Sequence, residues 1–256
     1  DLYKQRLAAE KIKVSYLDIA GEVRKAIIIN QNEGTEITVV NGAGPDITVS
    51  DWDNYCDLVI KNTSKDELVL LMGSMPSNSP QDAIEKLAKK IHAVGAQLLV
   101  DTAPASLKSR KSEILDFITP NLEEAEALIS GDDGSLFVVN NENIQERAMS
   151  VAEKLQGVVA KQVFITVGEH GCAFNNGSEK WFLPAFKLNP QLYKSAVGAG
   201  DSFVAGLANY LNQNSANIDW KECAKFAMAT AAASCESYLA GGVDKERALL
   251  ILAGKS

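Results

Sequence analysis

Short β-type runs alternate with helical patterns through most of this chain, and that order predicts a mostly parallel sheet covered by helices. The sheet runs fall at 68–72, 97–101, 117–118 and 162–167, and a hairpin of 171–174 with 180–183 turns at Asn175-Asn176-Gly177. Helical periodicity falls near 80–94, 123–129, 142–156, 202–211 and 220–238. The last of these is rich in Ala and Ser, which predicts close packing against a neighbour.

The beginning is different. The first residues read as a helix. Segments 14–18, 25–30 and 36–41 then read as a small β-meander with turns at Ala20-Gly21 and Asn32-Glu33-Gly34. An all-β patch opening an α/β chain predicts a lid or edge subdomain. The expected organisation is therefore a lead-in helix and partial β lid over 1–48 and an α/β core over 49–256. No internal repeat, low-complexity tract or long linker interrupts the pattern.

Composition narrows the function. At 256 residues, with 46% hydrophobic and 23% charged positions, the chain has the balance of an ordinary globular protein. Its net charge of −8 and lack of a basic cluster argue against a nucleic-acid or anionic-membrane partner. No stretch approaches the length of a membrane span, and Asp1-Leu-Tyr-Lys-Gln-Arg-Leu7 does not read as a signal peptide. The four cysteines (Cys56, Cys172, Cys223, Cys235) are scattered, with no Cys-x-x-Cys pair and only His92 and His170 to join them. That pattern disfavours zinc and reads as reduced thiols in a cytoplasmic protein.

One run carries more chemistry than the rest. Val197-Gly198-Ala199-Gly200-Asp201-Ser202-Phe203 sets three residues of minimal side chain before an acid and a helix. Bare backbone N–H groups beside a carboxylate, at the positive end of a helix dipole, can hold a multiply charged anion and place a base against it. Gly-x-Gly before a helix is also an ordinary tight turn with Asp as a cap, so two readings stand. No P-loop pattern occurs, and Gly198-x-Gly200 lacks the third Rossmann glycine.

Other segments bear on the choice. Thr119-Pro120-Asn121-Leu122-Glu123-Glu124 enters a helix, where Asn121 and Glu124 fit a capping box or face a metal–phosphate site through water. Thr166-Val-Gly168-Glu-His-Gly171 closes a strand in a two-glycine turn open either to a nucleotide or to an ordinary hairpin. Gly42-Ala-Gly44-Pro45-Asp46 imitates the later glycine run, but Pro45 removes an N–H that an anion would want. Ligands of open parallel sheets gather at strand carboxyl ends. Four such ends (Gly73-Ser74, Asp101-Thr102, Asn121, Gly168) carry small or polar residues, a convergence that turns alone do not explain.

Taken in order, these pieces resemble the ribokinase-like, or PfkB, family of carbohydrate kinases. Val197-Gly-Ala-Gly-Asp201 is similar to the family's C-terminal signature, Asn121-Leu-Glu-Glu124 to its Asn-x-x-Glu motif, and 166–171 to its nucleotide-contacting loop. Arg24, 42–48 and Gly73-Ser-Met-Pro76 resemble the 1-phosphofructokinase and tagatose-6-phosphate kinase branch, whereas 101–105 and 118–121 lean toward ribokinase. The resemblance implies a three-layer α/β/α sandwich with a small β lid. It also implies transfer of phosphate from ATP to a sugar or sugar phosphate, with fructose 1-phosphate as the leading acceptor.

Site roles follow from the same resemblance. Asp201 would be the base, and Gly198, Ala199 and Gly200 the anion hole. Asn121 and Glu124 would order Mg²⁺ and its waters. Thr166, Gly168 and Gly171 would line the nucleotide site, Gly241-Gly242 would close near the adenine, and Arg24 and Ser74 would bind the sugar phosphate. Lids of this family often pair, which points to a homodimer. Two departures stand out. Ala196 occupies a place where the family usually has Thr or Ser, and the family's opening strand and Gly-Gly-rich sugar-binding loop have no counterpart ahead of the lid. On the order of 60 or more residues of that region are expected to be missing, which keeps a catalytically silent, kinase-derived module as the alternative.

Overall fold

The computed structural model describes residues 2–31, 36–76, 78–108, 114–131 and 143–255. A first helix, α1 (Leu2–Ala9), leads to a two-stranded antiparallel hairpin of β1 (Ala26–Gln31) and β2 (Glu36–Asn41), with Ile27 opposite Val40 and Ile28 opposite Val39. The body follows as α2 (Val49–Lys61), β3 (Leu68–Met72), α3 (Ala83–Ala93), β4 (Gln97–Asp101), α4 (Pro104–Lys108), β5 (Leu115–Ile118), α5 (Leu122–Ser130), α6 (Ile144–Leu155) and β6 (Ala160–Thr166). A short 3₁₀ turn at Gly168–His170 then enters the hairpin β7 (Gly171–Asn175) and β8 (Lys180–Pro184), and α7 (Ala199–Gln213), α8 (Trp220–Ser234) and α9 (Lys245–Leu252) close the chain.

The main sheet has strand order β3-β4-β5-β6-β7-β8, parallel from β3 through β6 and antiparallel beyond. Successive residues of each strand face opposite layers, as the pleat requires. Leu98 and Val100 pack with Trp52 and Cys56 of α2, Ile84 and Leu87 of α3, Leu122 of α5 and Val151 of α6. Leu99, between them, packs with Phe203 and Leu207 of α7 and Ala224 of α8. Val163 and Ile165 against Phe164 repeat the division, so the sheet is the middle of three layers. β3 pairs only with β4, which leaves its outer edge open among the described residues.

Helix ends follow local chemistry. Thr48 and Asp51 form a reciprocal capping box at α2, and Asp219 and Asp244 cap α8 and α9. The small residues of α8 let α7 close in as their composition predicts. A Cβ on Gly206 would stand 2.7 Å from Thr230 Oγ1 and 2.9 Å from Ala227 Cα.

Three sequence expectations change. The meander is a hairpin, because 14–18 forms no strand. That segment is tied to α1, with Lys4 Nζ 3.2 Å from Asp18 and 4.0 Å from the centre of the Tyr16 ring. The expected turn at Asn32-Glu33-Gly34 lies outside the described residues apart from its flanks. α2, α4 and α9 are helices that the pattern did not predict. Finally, α7 starts three residues earlier than the periodicity suggested, so Ala199, Gly200 and Asp201 are its first turn.

Candidate active site

The carboxyl ends of β3, β4, β5 and β6 lie along one rim of the sheet, and α7 begins beside them. Gly73, just past β3, is held from both sides: its N–H donates to the Asp101 carbonyl at 2.9 Å, and Thr102 Oγ1 donates to its own carbonyl at 2.7 Å. Its φ of +84° is the left-handed region that glycine adopts without strain. The next residue, Ser74, is exposed and makes no hydrogen bond to another described residue. Past β5, Asn121 bridges to Thr166 at the end of β6, where the Thr166 N–H donates to the Pro120 carbonyl at 3.1 Å. The end of β3 is thus stitched to that of β4, and the end of β5 to that of β6, each pair by a backbone hydrogen bond.

Asn121 and Glu124 do form the capping box. Glu124 N–H donates to Asn121 Oδ1 at 2.8 Å, and Asn121 N–H donates to Glu124 Oε2 at 3.0 Å. The cap does not exhaust Glu124, whose other carboxylate oxygen has no hydrogen bond among the described residues. Burial raises its carboxyl above the usual range; the Asn121 amide opposes this and Glu123 adds to it.

α7 starts without a side-chain cap. Its N-cap is Gly198, in the left-handed region at φ +83° and with no side chain to cap the helix. At α2, α5, α8 and α9 a capping side chain takes a first-turn amide. At α7, the N–H groups of Gly200 and Asp201 meet no acceptor among the described residues. Those bare amides and the helix dipole face the same way. Asp201 itself is exposed in the first turn.

The loop leading into α7 is fixed from behind. Lys194 and Ser195 both donate backbone N–H to the Cys235 carbonyl, at 2.8 and 3.2 Å. Gly198 abuts the next turn of that same segment, so that a Cβ on it would stand 2.6 Å from the Gly241 backbone nitrogen. Gly241 has open space around it, whereas Gly242 is confined by Ser237 Oγ and the Leu239 carbonyl.

Asp101, which the sequence shows only as a polar strand end, is electrostatically part of the site. Burial pushes its carboxyl up to about 6, the Glu124 carboxylate adds to this, the Thr119 hydroxyl opposes it, and Asp201 contributes a further upward push. Asp101 of β4 thus feels the carboxylates of α5 and α7 at the rim. An acid at the carboxyl end of a central parallel strand was the available signal; its nearness to Glu124 and Asp201 is a product of the fold.

The remaining predicted residues fall less centrally. Gly168 is exposed with open space around it, at the end of β6. Gly171 is buried in β7, where a Cβ would stand 2.0 Å from the Leu183 carbonyl oxygen, so the hairpin itself demands glycine there. Arg24 lies at the lid base beside Gly44, exposed and with no ion pair among the described residues.

Comparison with known proteins identifies a family and a shared fold. A family model described as pfkB family carbohydrate kinase matches residues 1–246. The 1-phosphofructokinase of Bacillus subtilis (strain 168) is 27% identical over 206 residues, which cover 79% of this chain and 62% of the relative. A tagatose-6-phosphate kinase of Staphylococcus epidermidis is 25% identical over 215 residues, covering 81% of this chain and 64% of the relative. The chain therefore spans a little under two thirds of these curated relatives. Among solved structures, phosphofructokinase-2 from Escherichia coli in complex with potassium superposes with a TM-score of 0.80 at 17% identity, over 98% of this chain and 76% of that one. At that identity the likeness concerns the fold.

Proposed function

Because the chain belongs to the pfkB family of carbohydrate kinases, we propose that it transfers the γ-phosphoryl group of ATP to a hydroxyl of a sugar phosphate, with fructose 1-phosphate the leading acceptor. The observation that carries this reading is the uncapped start of α7, where free amides of Gly200 and Asp201 lie beside an exposed carboxylate. In the step, the Asp201 carboxylate takes the proton of the acceptor hydroxyl as its oxygen bonds to the γ-phosphorus. The bond from that phosphorus to the bridging oxygen breaks, and ADP leaves with the electron pair. The Gly198–Gly200 backbone stabilises the charge on the transferring group.

Thr166 and Gly168 would line the path of a nucleotide's phosphates, and Gly241-Gly242 would border its base. Gly171 supports this loop from within β7. Arg24 and Ser74 would receive the sugar phosphate from the lid side.

The acids fit a divalent cation. Burial above all, and the neighbouring Glu124 and Asp201 carboxylates after it, raise the Asp101 carboxyl, and a cation would relieve the repulsive part. No group of three acid, Cys or His side chains converges as a ready ligand set among the described residues. Asp101 and Glu124 would therefore hold Mg²⁺ largely through water, with Asn121 ordering that water. Bound there, Mg²⁺ would neutralise phosphate charge.

Supporting features extend the reading. Ile27, Ile28, Ile29 and Val40 are exposed on the lid hairpin, which favours a second copy of the chain as its cover. Four buried free cysteines fit a reducing compartment such as the cytoplasm. Among the described residues, no helix is long and apolar enough to cross a membrane.

The test is a coupled ADP-release assay on the full-length protein with Mg²⁺, comparing fructose 1-phosphate, fructose 6-phosphate, tagatose 6-phosphate and ribose. Turnover with fructose 1-phosphate well above the others supports the reading. Preference for tagatose 6-phosphate or ribose moves the acceptor, and a flat response to all four sinks it in favour of a silent module.

A further inference from the structure

The lid base and the loop after β3 are joined by one side chain. The Ile47 N–H donates to Asn78 Oδ1 at 3.0 Å, and Asn78 Nδ2 donates back to the Ile47 carbonyl at 2.8 Å. A carboxamide offers one acceptor and one donor side by side, so this pair copies a step of a β-ladder. Among the described residues these are the only hydrogen bonds between segments 42–48 and 73–79.

Both ends of the clasp are anchored. The Ile47 side chain is buried in the core, and the adjacent Thr48 caps α2. Asn78 stands in a turn tightened by Ser79, whose N–H and hydroxyl both donate to the Pro76 carbonyl. From Ile47 the chain runs back to Pro45, packed on Gly21, and to Gly44 beside Arg24. From Asn78 it runs back to Ser74 and to Gly73, which is bonded to Asp101 and Thr102. Arg24 and Ser74 are both exposed and neither is tied down by a hydrogen bond to another described residue.

We propose that Asn78 is a positioning residue for the phosphoryl acceptor, setting the spacing between the Arg24 loop and the Ser74 loop before substrate arrives. The role rests on the kinase reading above. Two contacts on separate loops bind one small ligand well only if their spacing is fixed in advance, since otherwise the loops must be ordered at the expense of affinity. Asn78 makes no hydrogen bond to the α7 terminus among the described residues, so its effect should fall on the acceptor alone.

The test is Asn78→Ala and Asn78→Asp in the full-length protein, with KM measured separately for acceptor and ATP and amide exchange followed at Ile47. Aspartate keeps the acceptor oxygen, loses the donor and sets a charge against the Ile47 carbonyl. Loss of two modest hydrogen bonds predicts an acceptor KM raised about tenfold in the alanine variant. The ATP KM and kcat should stay within about twofold to threefold, and Ile47 exchange should quicken while α7 and β4 amides stay protected. An unchanged acceptor KM, unchanged Ile47 exchange, or a parallel rise in both KM values overturns the role. A wild type inert toward every sugar sinks the kinase reading and this role together. An active wild type with an indifferent Asn78→Ala variant sinks this role only.

Discussion

Gly198 lies against the backbone nitrogen of Gly241 so closely that a single added carbon would sit 2.6 Å from it. The start of α7 and the turn after α8 are therefore one packed unit, and the unpaired first-turn amides are aimed from behind. Gly198→Ala would combine that overlap with a φ of +83°. It should cost about 2–4 kcal/mol of stability and reduce turnover further than the unfolding accounts for. Urea unfolding and steady-state kinetics on the same preparation check it; full activity in a stable variant would contradict the aiming role.

Asp201→Asn removes the proposed proton acceptor while keeping shape. Because Asp201 is exposed and bonded to no other described side chain, the fold should be untouched. Turnover should fall about 10²–10⁴-fold. Matching circular dichroism and melting curves with kcat lowered in that range are expected, and near-normal kcat would remove Asp201 from the reaction.

Asp101→Asn should trade activity for stability. The native carboxyl sits near 6 against an ordinary 3.8, so between those values the folded state holds the proton and the unfolded state does not. Stability therefore falls as pH rises through that window, and the deficit is complete above about 6. At roughly 1.36 kcal/mol per unit, the shift of about two units bounds the gain from a neutral amide at about 3 kcal/mol. The variant should melt higher than wild type at pH 8 and about equally at pH 3.5, and it should bind Mg²⁺ poorly. An equal or lower melting temperature at pH 8 would refute the electrostatic account.

Asp116 has the opposite sign. It is buried near the start of β5, and burial alone would push its carboxyl up. Lys161 Nζ at 2.8 Å, the Leu98 N–H at 2.9 Å and His92 at 2.8 Å together hold it below the usual range. Its contribution is present above the ordinary carboxylate pKa and lost as pH falls through the depressed value. Asp116→Ala, which leaves the buried Leu98 amide without its acceptor while Lys161 stays solvated, should cost about 1–3 kcal/mol at pH 7 and less as pH falls through the depressed value. A loss independent of pH would mean that packing, not charge, is at stake.

How far the sequence announced this structure depends on whether the cause was local. The strand at 68–72 is an unbroken apolar run and that at 97–101 an apolar stretch between Gln97 and Asp101, and their bounds hold to the residue. α2 escaped because its face is carried by Trp52 and Cys56 among polar neighbours; the Thr48-x-x-Asp51 box was its legible sign. Glycines at 198 and 200 are poor helix formers, which hid the true start of α7. The glycine run, Asn121 and Thr166 were visible because backbone chemistry marks them. Asp101 was not, since an acid at a strand end becomes part of a site only when β4, α5 and α7 meet. Asn78 sits in an unremarkable polar turn, and nothing before folding pairs it with a residue thirty-one positions away.

The outer edge of β3, open among the described residues, has a practical consequence. A parallel strand with a free side offers a ladder of donors and acceptors to any extended segment, whatever its side chains, and Leu70 is exposed beside it. A net charge of −8 keeps molecules apart at long range, but it cannot screen a template that acts on contact. Shelf life and crystallisability of this chain will therefore track what covers that edge, more than buffer pH or salt.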